Sequence, residues 1–418
     1  MSGQRTIPAA GLALLAGLGA SLTAGAAEWR FEAPITLHEA EPGSRLALGA
    51  SGLAERGGRV AVVWTESASG RSDVRLVTGR PDDDGQMGFS DVRGFSESGR
   101  GADPAVFPVG ERDRFALLWT ESERLRGRLW RGGVLDAPLS MDGRPARAPQ
   151  GVARGREAEI LWLRPEGSGE AWVRGTLRLE QEQLGREWLG TVATDAQPGQ
   201  REQPAMAVAG PSTILVWIQE RSRYTRVRVA RSADPASGFG RSSALNPRPE
   251  EPQGAFGRDP LVKQPVVASD GNRKVVAAWL EERGDGVGPR IRAVVSEDGG
   301  RRFPTVEEVL GEAPGTAYRS SPRVAVSSLG LAAVAWESRR ADGETGEPVA
   351  RPVIKVSSRD GDRGWQQPVP VPVEAGGNGV RQPRLHLDGE GHAHLIWVEG
   401  EPEDGMRVRY IRARIQPD

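Results

Sequence analysis

Four glutamates stand two residues beyond a tryptophan: Glu66 after Trp64, Glu121 after Trp119, Glu281 after Trp279 and Glu399 after Trp397. Carboxylates that recur at one structural position can gather a cation or a basic partner group. They can equally cap strand ends and pair with neighbouring arginines. Three of the chain's 4 histidines, His386, His392 and His394, fall within RLHLDGEGHAHLIW. On a hairpin, His392 and His394 share a strand face and His386 can oppose one of them, and imidazoles so placed can bind Zn²⁺ or Cu²⁺. No cysteine or carboxylate completes a known ligand spacing there, so an ordinary turn and no metal are expected. Asp82-Asp83-Asp84-Gly85 lacks the distal glutamate of a calcium loop and reads as a solvated turn. No glycine-rich phosphate loop and no Ser/His/Asp arrangement stands out, and no cofactor is expected.

The elements that must position these groups recur. Each tryptophan closes a short apolar strand: VAVVWTE, FALLWTE, AEILWLR, TILVWIQE, VVAAWLEE, AAVAWES and AHLIWVE, at intervals of 43 to 62 residues. Upstream lies a proline and an alternating strand, as in DPAVFPV, QPAMAVA, QPVVASD, SPRVAVS and QPRLHLD. Downstream comes a third alternating strand, such as TRVRVARS or MRVRYIRARI, and in several units a fourth. The tryptophan strand is apolar on both faces, as expected of a sheet sandwiched between neighbouring sheets. Sheets set radially bury both faces, so the chain is expected to be all-β, a β-propeller of four-stranded antiparallel blades. The tryptophan count gives seven blades; merging the weaker unit at Trp162 into a neighbour would give six. The last unit stops after its third strand, while EWRFEAPITLHE near the start resembles the fourth strands elsewhere. That segment is expected to close the ring and remove its open edge.

Composition bounds the rest. The 55 basic and 56 acidic side chains nearly balance, which argues against a nucleic-acid partner. There is no cysteine, so neither disulfides nor thiol chemistry is available. Residues 1–26 read as a signal peptide, with Arg5, an apolar run from Ala9 to Leu22, and Ala24-Gly25-Ala26 as the cleavage pattern. The run is too short for a comfortable membrane span, and none follows. Residues 27–418 are expected to form one exported propeller domain, periplasmic or secreted.

Residues 296–303, SEDGGRRF, have the form Ser-x-Asp-x-Gly-x-x-aromatic, with Ser296, Asp298, Gly300 and Phe303 in the signature positions. SRDGDRGW repeats it with Ser358, Asp360 and Trp365, and SADPASGF with Ser232, Asp234 and Phe239. Thr78 to Phe89 is a degenerate fourth copy. These boxes, set between third and fourth strands, resemble those of the sialidase-like, Asp-box (BNR-repeat) β-propeller superfamily, and the resemblance spans the mature chain. Turn chemistry explains the pattern: Asp accepts hydrogen bonds from turn amides, Gly tolerates positive φ, and the aromatic is expected to fold back into the blade core. The family carries its boxes on the face opposite the catalytic centre.

The resemblance implies a test for catalysis. Sialidases of this fold hold the substrate carboxylate with three arginines and use a tyrosine nucleophile assisted by glutamate. The matching candidates are Tyr318 in AYRSSPRVAV, Glu281 one blade earlier, and Arg45 in SRLALG, which lacks the expected proline. Fold does not imply function, and the leading expectation is a non-catalytic binding module for a protein or glycan on the top face. Its rim would be formed by Glu66, Glu121, Glu399 and Phe256 of the long 246–260 loop. A sialidase-type hydrolase is the alternative, and a docking component of an envelope complex the third.

Overall fold

The computed structural model describes residues 28–416, apart from 111–112, 168, 181–182, 193–203, 222–223, 234–237, 247–259, 283–287, 310–316, 341–351, 360, 362–363 and 374–378. The described residues form seven antiparallel sheets set around a ring, six of them meanders of consecutive strands and the seventh completed by the N-terminal segment. The protein is a seven-bladed β-propeller, as the tryptophan count predicts. No helix among the described residues is long and apolar enough to cross a membrane.

The first strand of each blade lies innermost: Arg45–Arg56, Gly101–Pro108, Arg147–Arg154, Ala205–Ala209, Leu261–Ser269, Ala317–Val326 and Val380–Leu387 in blades 1 to 7. The tryptophan strand is second. Antiparallel order puts first-to-second hairpins and third-to-fourth connections on one face, here called lower. Second-to-third turns and the links between blades share the upper face.

The core is not one nucleus but seven layers, each between two adjacent blades. Trp64 of blade 1 packs with Ile396, Val398 and Tyr410 of blade 7, and Trp119 of blade 2 with Val63, Val74 and Leu76 of blade 1. Every one of the seven tryptophans faces the preceding blade in this way, which is why its strand is apolar on both sides. The ring closes through the N-terminal segment. Glu28–Phe31 and Ile35–Glu39 form two short strands along the outer edge of Arg407–Gln416, with Trp29 opposite Ile415 and Ile35 opposite Tyr410. Trp29 packs into the layer between blades 6 and 7.

Pro204 directly precedes the inner strand of blade 4, as the sequence pattern suggests, but in five other blades the proline sits inside the strand at a bulge. Asp103, Ala148, Gln264, Ser321 and Gln382 each precede a proline and each have φ between 50° and 56°. The ladder to the second strand skips register at every one of these points. The bulge turns a backbone N–H sideways, and the preceding blade supplies its acceptor. Asp103 Oδ2 takes the Ala148 N–H at 3.1 Å, Gln264 Oε1 that of Ser321 at 2.7 Å, and Gln382 Oε1 that of Leu48 at 2.8 Å. Ser321 carries no carbonyl or carboxylate arm, and Glu337 Oε1 of blade 6 accepts the Gln382 N–H instead, at 2.7 Å.

The turn at SEDGGRRF is built by its own polar groups. Asp298 Oδ1 accepts the N–H groups of Arg301 and Arg302, both at 2.9 Å, and Ser296 Oγ accepts that of Gly300 at 3.0 Å. Burial alone would raise the Asp298 pKa, and these bonds outweigh it and hold the carboxyl below its ordinary value. Gly300 has φ 75°, and a Cβ there would stand 2.5 Å from Ile214 Cδ1 of the neighbouring blade. The aromatic does not plug its own blade, as expected from sequence, but the gap to the preceding one. Phe303 packs with Ile214 and Val216, Trp365 with Val276 and Ala278, and the Phe239 ring lies 4.9 Å from Arg174 Cζ. Ser358 and Ser232 are fully buried in the other two turns, while Asp360 and Asp234 lie outside the described residues.

Candidate functional site: the axial channel

The inner strands surround an axial cavity of about 620 Å³, lined by residues of all seven blades from the bulges towards the lower face. That size is typical of small-ligand sites, about 300–1,000 Å³. Most of the wall is aliphatic or backbone, with Leu53, Phe107, Met206 and Val266 among the larger apolar groups. The described lining includes no aspartate, glutamate or tyrosine.

The charged part of the wall comes from blades 6 and 7. Arg323 and Arg384 each stand one residue after a bulge proline, so the bulge aims both into the space between inner strands. Arg384 is buried and fully engaged. Its Nε donates to Gly49 O at 2.5 Å, Nη2 to Leu48 O at 2.7 Å, and Nη1 to Pro383 O at 2.8 Å and Gln382 O at 3.2 Å. It clamps the last blade to the first. Arg323, part-exposed to the channel, donates only from Nη1, to Pro322 O at 2.8 Å, and its Nε has no acceptor among the described residues.

Both guanidiniums are electrostatically stressed. Burial pushes Arg323 down to about 10, against the pull of Glu337. Burial, and then the like charge of Arg323, hold Arg384 well below the ordinary arginine value, again opposed by Glu337. Glu337 is the nearest countercharge, and its two oxygens are already taken by the Gln382 N–H and by Ser320 Oγ at 2.9 Å. Two cations therefore share one carboxylate. The Nε of Arg323 is shut off from the channel, so an anion entering it would meet the guanidinium through its Nη groups, which suit a carboxylate.

Of the residues singled out from sequence, His386 lines the channel, its Nε2 3.5 Å from Glu55 Oε2, and the four glutamates lie elsewhere. Glu66 accepts from Arg75 Nε at 2.9 Å, with His38 Nε2 at 3.3 Å. Glu121 accepts the N–H groups of Ser98 and Glu97 at 2.5 and 2.7 Å, and Trp119 Nε1 at 3.2 Å. Glu281 accepts from Arg292 at 3.2 Å, and Glu399 lies 3.5 Å from Arg409 Nε. None of the four lines the channel. Arg45 is exposed at the upper end of the blade 1 inner strand; Tyr318 pairs through its backbone with Arg339 in blade 6, and its side chain lies outside the described residues. Phe256 also lies outside them. The channel arginines were legible only as a departure within the repeat: SPR and QPR stand where other blades have DPA, APQ, QPA and QPV.

No family model matches the chain, and no curated protein matches it in sequence. Among solved structures, it is similar to a Dyadobacter fermentans protein of unknown function, with 10% identity, a TM-score of 0.50, and coverage of 93% of this chain and 99% of that one. At that identity the likeness is one of fold. It also aligns with the polysaccharide lyase Uly1 (10% identity, TM-score 0.43, covering 93% and 100%) and with an α-L-arabinofuranosidase from Podospora anserina (12%, 0.37, 66% and 94%).

Proposed function

We propose that this protein is an exported binding module that takes a carboxylate-bearing ligand, in the first instance an acidic saccharide, into its axial channel. The observation that supports this most directly is Arg323: a guanidinium inside the ring that lines a cavity of about 620 Å³, donates one hydrogen bond among the described residues and shares Glu337 with Arg384. A half-buried cation that must share its countercharge is costly to a fold, and a site that binds an anion recovers that cost. The apolar wall offers surface to the ligand body, and Arg323 fixes its orientation. The saccharide class rests on the sequence resemblance to a superfamily whose sialidases hold an acidic sugar. A binding role rather than hydrolysis is favoured because the described lining holds no carboxylate pair and no tyrosine to act on a glycosidic bond.

Calorimetric titration with uronate- or sialate-terminated oligosaccharides, beside their methyl esters, tests the reading. The acids are expected to bind and the esters to bind far more weakly, with Arg323→Gln abolishing the difference. Equal binding of acid and ester would overturn it. Release of fluorophore from an α-sialoside, lost in Tyr318→Phe, would replace it with the sialidase-type hydrolase.

A further inference from the structure

The lower-face hairpin of blade 7 carries a cluster that the channel does not use. Asp388, Glu390 and His392 each bring one donor atom to within 4.8 Å of the others. His392 Nδ1 lies 3.0 Å from Asp388 Oδ2 and 3.8 Å from Glu390 Oε2. Ligand atoms bonded at about 2.0–2.2 Å to a tetrahedral zinc stand about 3.3–3.6 Å apart, so these separations bracket such a site. The sequence pattern drew attention to three imidazoles; the fold instead joins one of them to two carboxylates of the turn.

Blade 5 supplies an internal control. In its hairpin Asp270 Oδ1 accepts the N–H groups of Asn272 at 2.7 Å and Lys274 at 3.1 Å. In blade 7 Asp388 Oδ1 accepts those of Glu390 and His392, both at 2.8 Å. The same turn forms in both, so it requires neither Glu390 nor His392. Two residues further on, blade 5 buries Val276 completely, whereas blade 7 buries His394. Its Nε2 lies 3.3 Å from Asp388 Oδ2, and its Nδ1 lies 2.8 Å from Tyr410 Oη. With the tyrosine hydroxyl donating to Nδ1, Nε2–H donates to Asp388. A buried imidazole where a valine suffices burdens the core. Here it holds the carboxylate oxygen that faces His392, as outer hydrogen bonds hold metal-ligating carboxylates.

We propose that Asp388, Glu390 and His392 form a divalent transition-metal site, with His394 as the residue that positions Asp388. One imidazole and two carboxylates suit Zn²⁺ better than Ca²⁺ or Mg²⁺, which prefer all-oxygen shells. Three protein ligands leave a coordination position for water or for a donor from a partner. The site is independent of the channel and stands or falls separately from it.

The test is Zn²⁺ titration of chelator-treated protein carrying no polyhistidine tag, with Mg²⁺ and Ca²⁺ in parallel. One Zn²⁺ per chain is expected, with Mg²⁺ and Ca²⁺ failing to compete. Glu390→Asn with His392→Lys copies the blade 5 turn and is expected to weaken binding by about 100-fold or more, and His394→Val, which copies the valine of blade 5, by about 10-fold. Thermal unfolding in chelator checks that each variant folds, and His392→Gln replaces the double variant if it does not. No Zn²⁺ uptake by the native chain, or uptake unchanged by the hairpin substitutions, would overturn the proposal.

Discussion

Gln382 Oε1 accepts the backbone N–H of Leu48 at 2.8 Å, joining residues 334 positions apart across the seam between the last blade and the first. The bond repeats what Gln264 does for Ser321 and Asp103 for Ala148, so the ring is stitched at its inner wall by side chains that stand directly before bulge prolines. Gln382→Ala leaves a part-buried N–H without its acceptor and is expected to cost about 1–3 kcal/mol. Urea denaturation measures it. Because Leu48 lies on the closing seam, the loss should exceed that of Asp103→Ala, whose bond is longer and more exposed. An unchanged midpoint would mean that channel water replaces the amide.

Two neighbouring glycines separate backbone strain from packing. Gly299 and Gly300 have φ 74° and 75°, so an added Cβ is strained at either. At Gly299 it would meet only Asn272 O at 3.7 Å, but at Gly300 it would meet Ile214 Cδ1 at 2.5 Å. Gly299→Ala is expected to cost about 1–2 kcal/mol and Gly300→Ala more, by an amount that Ile214→Val partly recovers. A double-mutant cycle reads that coupling directly. Equal costs at the two glycines would show that the turn and the adjacent blade are not in register as described.

How much of this was legible in sequence follows from what periodicity can carry. The seven tryptophan strands stood out because each buries both faces, and the closing segment EWRFEAPITLHE stood out because the last blade lacked an outer strand. Partners across a blade interface do not follow from periodicity. Phe303 reads as the plug of its own blade until Ile214 of the preceding blade is seen beside it. The same limit hid the site. Glu66, Glu281 and Glu399 recur at one position because each pairs with a third-strand arginine of its own sheet, a structural repeat that resembles a functional one. Arg323 and Arg384 break the repeat in two blades only, and nothing in their spacing reveals that a bulge brings them to one wall.

Glu121 makes the acid limb of stability testable. Burial would raise its pKa, and the N–H groups of Ser98 and Glu97 outweigh that and hold it below the ordinary 4.5. A carboxylate depressed in the folded state binds fewer protons there than when unfolded. Its contribution is therefore complete above the unfolded value and is lost as pH falls through the folded one. Glu121→Gln should lower stability at neutral pH and flatten the decline between about pH 5 and pH 3. Denaturation midpoints at half-unit intervals give the comparison, and parallel curves for the two proteins would remove Glu121 from the acid response.

The two channel arginines should part company when neutralised. Arg384 donates to the carbonyls of Leu48, Gly49, Gln382 and Pro383, so Arg384→Met strips donors from a buried seam and is expected to cost more than about 2 kcal/mol. Among the described residues Arg323 donates to one carbonyl and shares Glu337 with Arg384, so Arg323→Met removes a charge that the fold only partly compensates. Because Glu337 keeps Arg384 as its counter-ion, the replacement leaves no carboxylate uncompensated and is expected to be neutral or stabilising. It should also relax the like-charge pressure on Arg384, raising rather than lowering the resistance of the closing seam to urea. A residue whose loss steadies the fold while removing acid binding is retained for its ligand, not its packing. If Arg323→Met instead destabilises as much as Arg384→Met, its guanidinium belongs to the seam and the channel loses its anion contact.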